Sequence, residues 1–469
     1  MNTASQAEVS EIDPSARCTL TLLIATALFW LVVSGVLALL NFIQAFTPTF
    51  LADCPLFTYG RLRALQETAF LYGWAANAGV AVALWLLARL GGAPQRSLNW
   101  TRAGTVFWNV GVLAGLIGIA CGEGSSAAGL HLPGYIQPLL LVAFGAMAVP
   151  GVLAWTGRSR PVTFAAQWYA VAALFLFPWL FSAAQVTLLC APVRGVLQAI
   201  AGGWFVQGLW TLWLAPLALA AAYYLLPKIT GRVIPNYDFA SFGFWTLLVV
   251  GGWTGGRHLV GGPVPAWVVT VAIVSCTLLL IHYLVVAINL RGAFGQPGVV
   301  LKFVGFGLAA YLLGGLADAV TAMRSVAVLT QFTWFAQAQS QLALGGAFSM
   351  IVFGAIYFLT PRITGQAWLS TPLIRAHYAA AGLGTVVLIG SLAAAGWVQG
   401  HDLANASVSF ADIAVHTRPW LQTAAAAQAL LVVGNALFAL HFLRSVCPCN
   451  AGATTLPFRQ PPTMEASAS

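Results

Sequence analysis

Long apolar runs divide this chain, and short polar connectors separate them. Twelve runs emerge, over residues 19–46, 66–89, 104–122, 135–156, 163–187, 199–226, 239–256, 265–290, 302–323, 334–360, 378–398 and 419–443. Each approaches or exceeds the roughly 20 residues that a helix needs to cross a bilayer. None alternates with the period of two that marks a membrane β-barrel. The pattern predicts an all-α integral membrane protein, a bundle of about twelve transmembrane helices forming one membrane domain over residues 18–445. Residues 1–17 form a polar tail carrying Glu8, Glu11 and Asp13. The tail lacks the basic start of a signal peptide, and the run after it is far longer than a signal's apolar segment, so it reads as a retained first helix. Residues 446–469, with Pro461 and Pro462, read as a disordered tail.

Composition excludes a soluble protein. Apolar residues make up 60% of the chain and charged residues 7%, where a soluble domain carries about 25% charged residues. The formal charge of +9 is read as topology and contact with membrane lipid, with no nucleic acid partner, because the basic residues sit in the connectors. Arg17, Arg89, Arg102, Arg158, Lys228, Arg291, Lys302, Arg362 and Arg375 gather on the side of the N-terminus. Arg61, Arg63, Arg194, Arg257, Arg324 and Arg418 fall on the other. Excess positive charge inside predicts a bacterial-type cytoplasmic (inner) membrane location with both termini in the cytoplasm. The cysteines form no framework; Cys447 and Cys449 make a lone CxC pair after the last helix, which reads as tail decoration.

Polar residues inside the runs carry the functional information. Glu67, Arg257, His258 and Asp318 lie in or at helix ends, and Gln66, Gln207, Gln339 and Gln341 stand where an apolar residue would cost nothing. A buried amide needs hydrogen-bond partners. Taken singly, each glutamine reads as helix–helix glue, at about 0.6 kcal/mol per bond in lipid.

Six motifs, taken in order, carry a resemblance. Tyr59-Gly-Arg-Leu-Arg63 resembles the YGRLRPLH segment of the catalytic subunit I of cbb-type haem–copper oxidases. Tyr223-Tyr-Leu-Leu-Pro-Lys228 resembles that subunit's YYFVPK, and Trp253-Thr-Gly-Gly-Arg-His-Leu259 its WAGPHHL. Arg324-Ser-Val326 resembles KSV, Gly354-Ala-Ile-Tyr-Phe-Leu-Thr-Pro361 resembles GALYCLVP, and Gly396-Trp-Val-Gln-Gly400 resembles GITQG. The resemblance spans about residues 20–445, and nitric oxide reductase large subunits share the superfamily. It implies a twelve-helix scaffold and histidines that hold two haems and copper. Residue by residue, the haem-ligand positions fall on Gln66, Gln339 and Gln341, the last two in place of an HVH pattern. The copper-ligand positions fall on Gln207, Arg257 and His258, and a copper-linked tyrosine falls on Gly251.

This sequence departs from that pattern at five of its six histidines. An amide oxygen is a poor ligand for iron or copper beside an imidazole nitrogen, and arginine stays protonated. His131, His282, His377, His401, His416 and His441 lack the matched spacing and read as structural residues. The expectation is therefore no catalytic residue, no metal and no cofactor. The chain reads as a haem–copper oxidase subunit I-like protein of a respiratory membrane complex, non-catalytic or repurposed, beside subunits such as membrane-anchored cytochromes c. An active oxidase or nitric oxide reductase subunit with unusual haem ligands, and a secondary transporter, are the rival readings. Vacated space calls for filling, since voids destabilise; Trp74, Trp204, Trp334 and Phe335 are candidates, as is a quinone or lipid in the core. Arg257 is expected either to stand in for the copper charge against Gln207, balanced by Glu67 or Asp318, or to snorkel to the surface.

Overall fold

The computed structural model describes residues 16–446 apart from residues 94 and 96, so the N-terminal tail before Ala16 and the C-terminal tail, with Cys447 and Cys449, lie outside the described residues. Twelve apolar helices follow one another: α1 (Arg17–Phe46), α2 (Tyr59–Gly91), α3 (Leu98–Cys121), α4 (Gln137–Thr156), α5 (Ala165–Cys190), α6 (Val196–Thr230), α7 (Phe239–Gly251), α8 (Ala266–Ala293), α9 (Val299–Ala322), α10 (Trp334–Thr364), α11 (Thr371–Leu403) and α12 (Phe410–Val446). A short helix, Arg324–Thr330, sits between α9 and α10. Among the described residues eleven of these helices are long and apolar enough to cross a membrane, and α7 is the shorter one.

Most helices outrun the apolar segments that announce them. The second begins at Tyr59 instead of residue 66, and the twelfth at Phe410 instead of residue 419. Hydropathy marks the stretch that suits lipid; helical hydrogen bonding continues past it into residues such as Arg61 and Arg63. The seventh errs the other way. Expected over 239–256, it stops at Gly251, and Thr254–Leu259 forms a 3₁₀ turn. The cause is a glycine contact: a Cβ on Gly255 would stand 2.5 Å from the Gly203 carbonyl oxygen of α6. Only bare backbone lets this turn lie against α6.

Three helices form the interior. In α2 and α6, 94% of the most apolar stretch is buried, and in α10 78%, whereas the other long helices bury 39–50%. Their composition explains the difference. Ala78–Leu87 of α2 and Ala215–Ala222 of α6 are apolar on every face and rich in alanine, which allows close approach on all sides. The inner helices share a second feature. Each contains a π-helical segment: Ala69–Ala75 in α2, Leu209–Leu214 in α6 and Leu342–Ser349 in α10. Such segments occur most often at functional sites. Each begins within three residues after one of the singled-out glutamines, Gln66, Gln207 or Gln341.

Candidate functional site

The residues singled out in the sequence gather at two places on these inner helices. The first is centred on Arg257. The 3₁₀ turn after α7, seated on Gly203, brings it to Gln207 one helical turn further along α6. The Arg257 side chain is only 8% exposed, so it does not snorkel. Its Nη1 pairs with Asp318 Oδ1 of α9 at 2.9 Å, and its Nη2 donates to Gln207 Oε1 at 3.4 Å. Gln339 of α10 closes the cluster, donating from Nε2 to Thr321 Oγ1 at 2.8 Å and to Asp318 Oδ1 at 3.4 Å. One guanidinium, one carboxylate and two amides thus tie α6, α9, α10 and the turn after α7 together.

Of the two acids weighed as the counter-charge, Asp318 takes the role and Glu67 does not. Glu67 faces the connector between α3 and α4. Its Oε1 accepts from the Gly129 amide at 3.0 Å, and its Oε2 lies 3.3 Å from His131 Nε2. Burial opposes a charge on the His131 ring, but the hydrogen bond and the negative charge of Glu67 outweigh it and raise its pKa. His258 lies beside Arg257. The Arg257 charge and then burial push its pKa down to about 3, so its ring is neutral. Its backbone carbonyl accepts from Gln331 Nε2.

The second place lies between α1, α2, α10, α11 and α12. Gln66 and Gln341 line one small cavity of about 60 Å³, together with Ser34, Phe70, Phe353 and Gln428. Gln428 Nε2 donates to the Gly35 carbonyl at 3.1 Å. Gln339 and Gln341 therefore belong to different sites. At 3.6 residues per turn, two positions apart on a helix face nearly opposite directions.

The four candidate filling aromatics behave differently from one another. Trp74 is fully buried, donates to Ser349 Oγ at 3.1 Å and lies 5.3 Å from the Phe353 ring, behind the wall of the small cavity. Trp334 lines a separate, larger cavity of about 500 Å³ that borders Arg257. Phe335 lies under α11, its amide nitrogen where a Cβ on Gly396 would be. Trp204 sits half-buried at the rim of the core, where it packs edge-on against the exposed Trp179 and lines a peripheral groove with Trp253 and Trp267. At Gly251 a Cβ would meet the Thr211 side chain at 3.2 Å, so a larger residue there would have to displace Thr211.

The remaining histidines have local partners. His282 bonds the Gly243 carbonyl and Tyr311 Oη, His377 bonds Tyr357 Oη, and His441 accepts from the Ser370 amide. His401 bonds the Trp397 carbonyl, and His416 bonds Asp402. Among the described residues no three His, Cys, Asp or Glu side chains converge as a metal-binding group. Sequence reasoning missed the Glu67–His131 pair, although two ionisable residues at the same end of neighbouring helices were a usable signal.

Known proteins resemble this chain along nearly its whole length. The family model described as cytochrome c and quinol oxidase polypeptide I matches residues 19–430. A cytochrome c oxidase subunit 1 homolog of Agrobacterium tumefaciens (strain T37) is 25% identical over 402 residues, covering 80% of this chain and 72% of that one. The Cbb3-type cytochrome c oxidase subunit CcoN1 of Stutzerimonas stutzeri is 25% identical over 364 residues, covering 74% and 75%. In fold, the chain is similar to a solved heme-copper terminal oxidase dimer, with a TM-score of 0.70, 13% identity, and coverage of 93% of this chain and 85% of that one.

Proposed function

The chain belongs to the cytochrome c and quinol oxidase polypeptide I family, and on that premise we propose that it is a subunit I-like membrane protein without redox metals, serving as a non-catalytic subunit of a respiratory membrane complex. The observation that carries this reading is the Arg257 cluster. Three positions that the family resemblance assigns to metal ligands are tied into one chain: Gln207 accepts directly from Arg257, and Arg257 and Gln339 share Asp318. A guanidinium is a permanent cation with five donors and no acceptor. It supplies positive charge where copper would supply it, and it cannot ligate. His258 is the single imidazole left there, and one imidazole does not make a copper site.

The donor set at the second place does not fit a haem either. Gln66 and Gln341 offer amide oxygens, and the cavity of about 60 Å³ that they line has room for only a few water molecules. Phe70, Phe353 and, behind them, Trp74 occupy the neighbourhood.

Purified full-length protein tests the reading through a pyridine haemochrome assay and elemental copper analysis. The expected result is haem and copper far below one per chain; about one haem per chain overturns it. The subunit role is tested separately. Mild detergent extraction from native membranes is expected to bring a haem-stained c-type cytochrome down with the tagged chain, and isolation of the chain alone under every such condition counts against a respiratory complex.

A further inference from the structure

The cavity of about 500 Å³ beside Arg257 lies in the size range of small-molecule sites. It is bounded by the ends of α1, α2, α10 and α11 on the face opposite the start of α1, and by the segment between α9 and α10. Its lining has an uneven charge. Arg63 and Arg257 border it, and no aspartate or glutamate does. The Arg257 charge is met by Asp318 from behind. The Arg63 guanidinium has no hydrogen-bond partner among the described residues, and it is exposed at the mouth. Uncharged donors line the space around it: Asn41, Gln337 and Gln399. An apolar wall faces the same space, formed by Phe42, Phe332 and Trp334. Phe332 stands at φ 62°, a left-handed conformation that costs energy for a bulky residue and clusters at active sites, ligand clamps and switch regions. Deeper in the site, the Arg257 Nε is buried without a partner.

We propose that this cavity binds a small organic oxyanion, its acidic head held by Arg63 and its apolar body against Phe42, Phe332 and Trp334. The inference rests on the reading that no haem takes up this space. The chemistry is that of a guanidinium fork, which matches the two oxygens of a carboxylate or phosphate, in a cavity whose deeper charge is already balanced. The Arg63 charge is felt by Glu67 one turn along α2, but that carboxylate is turned to Gly129 and His131, so a neutral ligand gives the Arg63 fork no anionic partner within the cavity, and a cation meets two guanidinium groups.

The test uses the purified full-length chain in detergent, with benzoate, phenyl phosphate and benzamide as probes, read by calorimetric titration and by melting temperature. Benzoate or phenyl phosphate is expected to bind saturably and raise the melting temperature, and the stronger of the two identifies the head group. Benzamide is expected to do neither. Arg63→Gln, which removes no hydrogen bond within the described residues, is expected to melt like the parent and weaken oxyanion binding by roughly tenfold or more. Arg324→Gln lies on the same side but outside the cavity, where its guanidinium bonds Thr270, and it is expected to leave binding unchanged. Equal binding of benzamide, no binding of any probe, or undiminished binding by Arg63→Gln overturns the proposal. The haem assay separates the two readings: a haem-free chain that binds no oxyanion overturns only this site, and a haem-bearing chain overturns the reading beneath it.

Discussion

The two glutamine-bearing places differ in how their space is managed. Around Arg257 the centre is polar and charged: a guanidinium bridges Asp318 and Gln207, and an open cavity lies next to it. Around Gln66 and Gln341 the centre is closed by ordinary packing, down to about 60 Å³. The difference follows from what each place has to satisfy. A buried guanidinium needs a counter-charge, and the half-buried Asp318 supplies it to Arg257. Two neutral amides make no such demand, and aromatic side chains can close over the gap. One place is held by electrostatics and the other by volume, and each should fail in its own way.

The largest expected effect breaks the first place. Arg257→Ala leaves the half-buried Asp318 without its cation and Gln207 without its donor, and is expected to cost about 3 kcal/mol. Thermal melts of detergent-solubilised protein would read it. Arg257→Ala combined with Asp318→Asn should recover part of that loss, and a cycle with no coupling would show that the pair is incidental. A smaller effect comes from the turn that delivers Arg257. Gly255→Ala puts a methyl group against the Gly203 carbonyl and should cost about 1–3 kcal/mol by overpacking. The methyl clash does not involve Arg257, so the double variant with Arg257→Ala should still carry it, and any shortfall from additivity measures the share owed to displacing the guanidinium.

The Glu67–His131 pair is a weaker electrostatic contact, and it adds a pH arm. Its imidazole has a raised pKa, so its contribution is fully present below the ordinary value of 6.5 and is lost as pH rises through the raised one. The parent should lose about 1–2 kcal/mol across that window relative to His131→Gln. Parallel melting curves for the two proteins from pH 5 to 9 would reject the pair as a stabilising contact. The smallest effect sharpens the second place. Gln66→His with Gln341→His restores both imidazoles but not the space, and added haem is expected to give no low-spin spectrum. Appearance of one would show that packing there yields easily.

Much of this architecture was legible in the sequence. Apolar runs gave the helix count and order because lipid demands them. Arg257 and Gln207 could be paired because six motifs set them in a common frame. The choice between Glu67 and Asp318 could not be read, since it depends on which helix faces which connector, and both residues present the same carboxylate. The assignment of Gln339 and Gln341 to separate sites follows from helical angle, once α10 is known to be continuous between them. Trp204 looked like filling material because aromatic residues suit cores and lipid-facing surfaces equally well. The early end of α7 depends on a glycine-to-glycine contact between segments about 50 residues apart, which no local pattern records.

The π-helical segments of α2, α6 and α10 have an evolutionary consequence. Each accommodates a wider turn, so the far half of the helix is rotated relative to a plain α-helix. That half holds the tight alanine-rich packing of α2 and α6, and in α10 it holds Tyr357 against Trp368 and His377. The near half holds the glutamines. The segment acts as an indexed joint between a part that must pack and a part whose chemistry can change. A lineage can therefore exchange the side chains of the near half, imidazole for amide or ion for guanidinium, while the far half keeps its angular setting and the bundle still assembles.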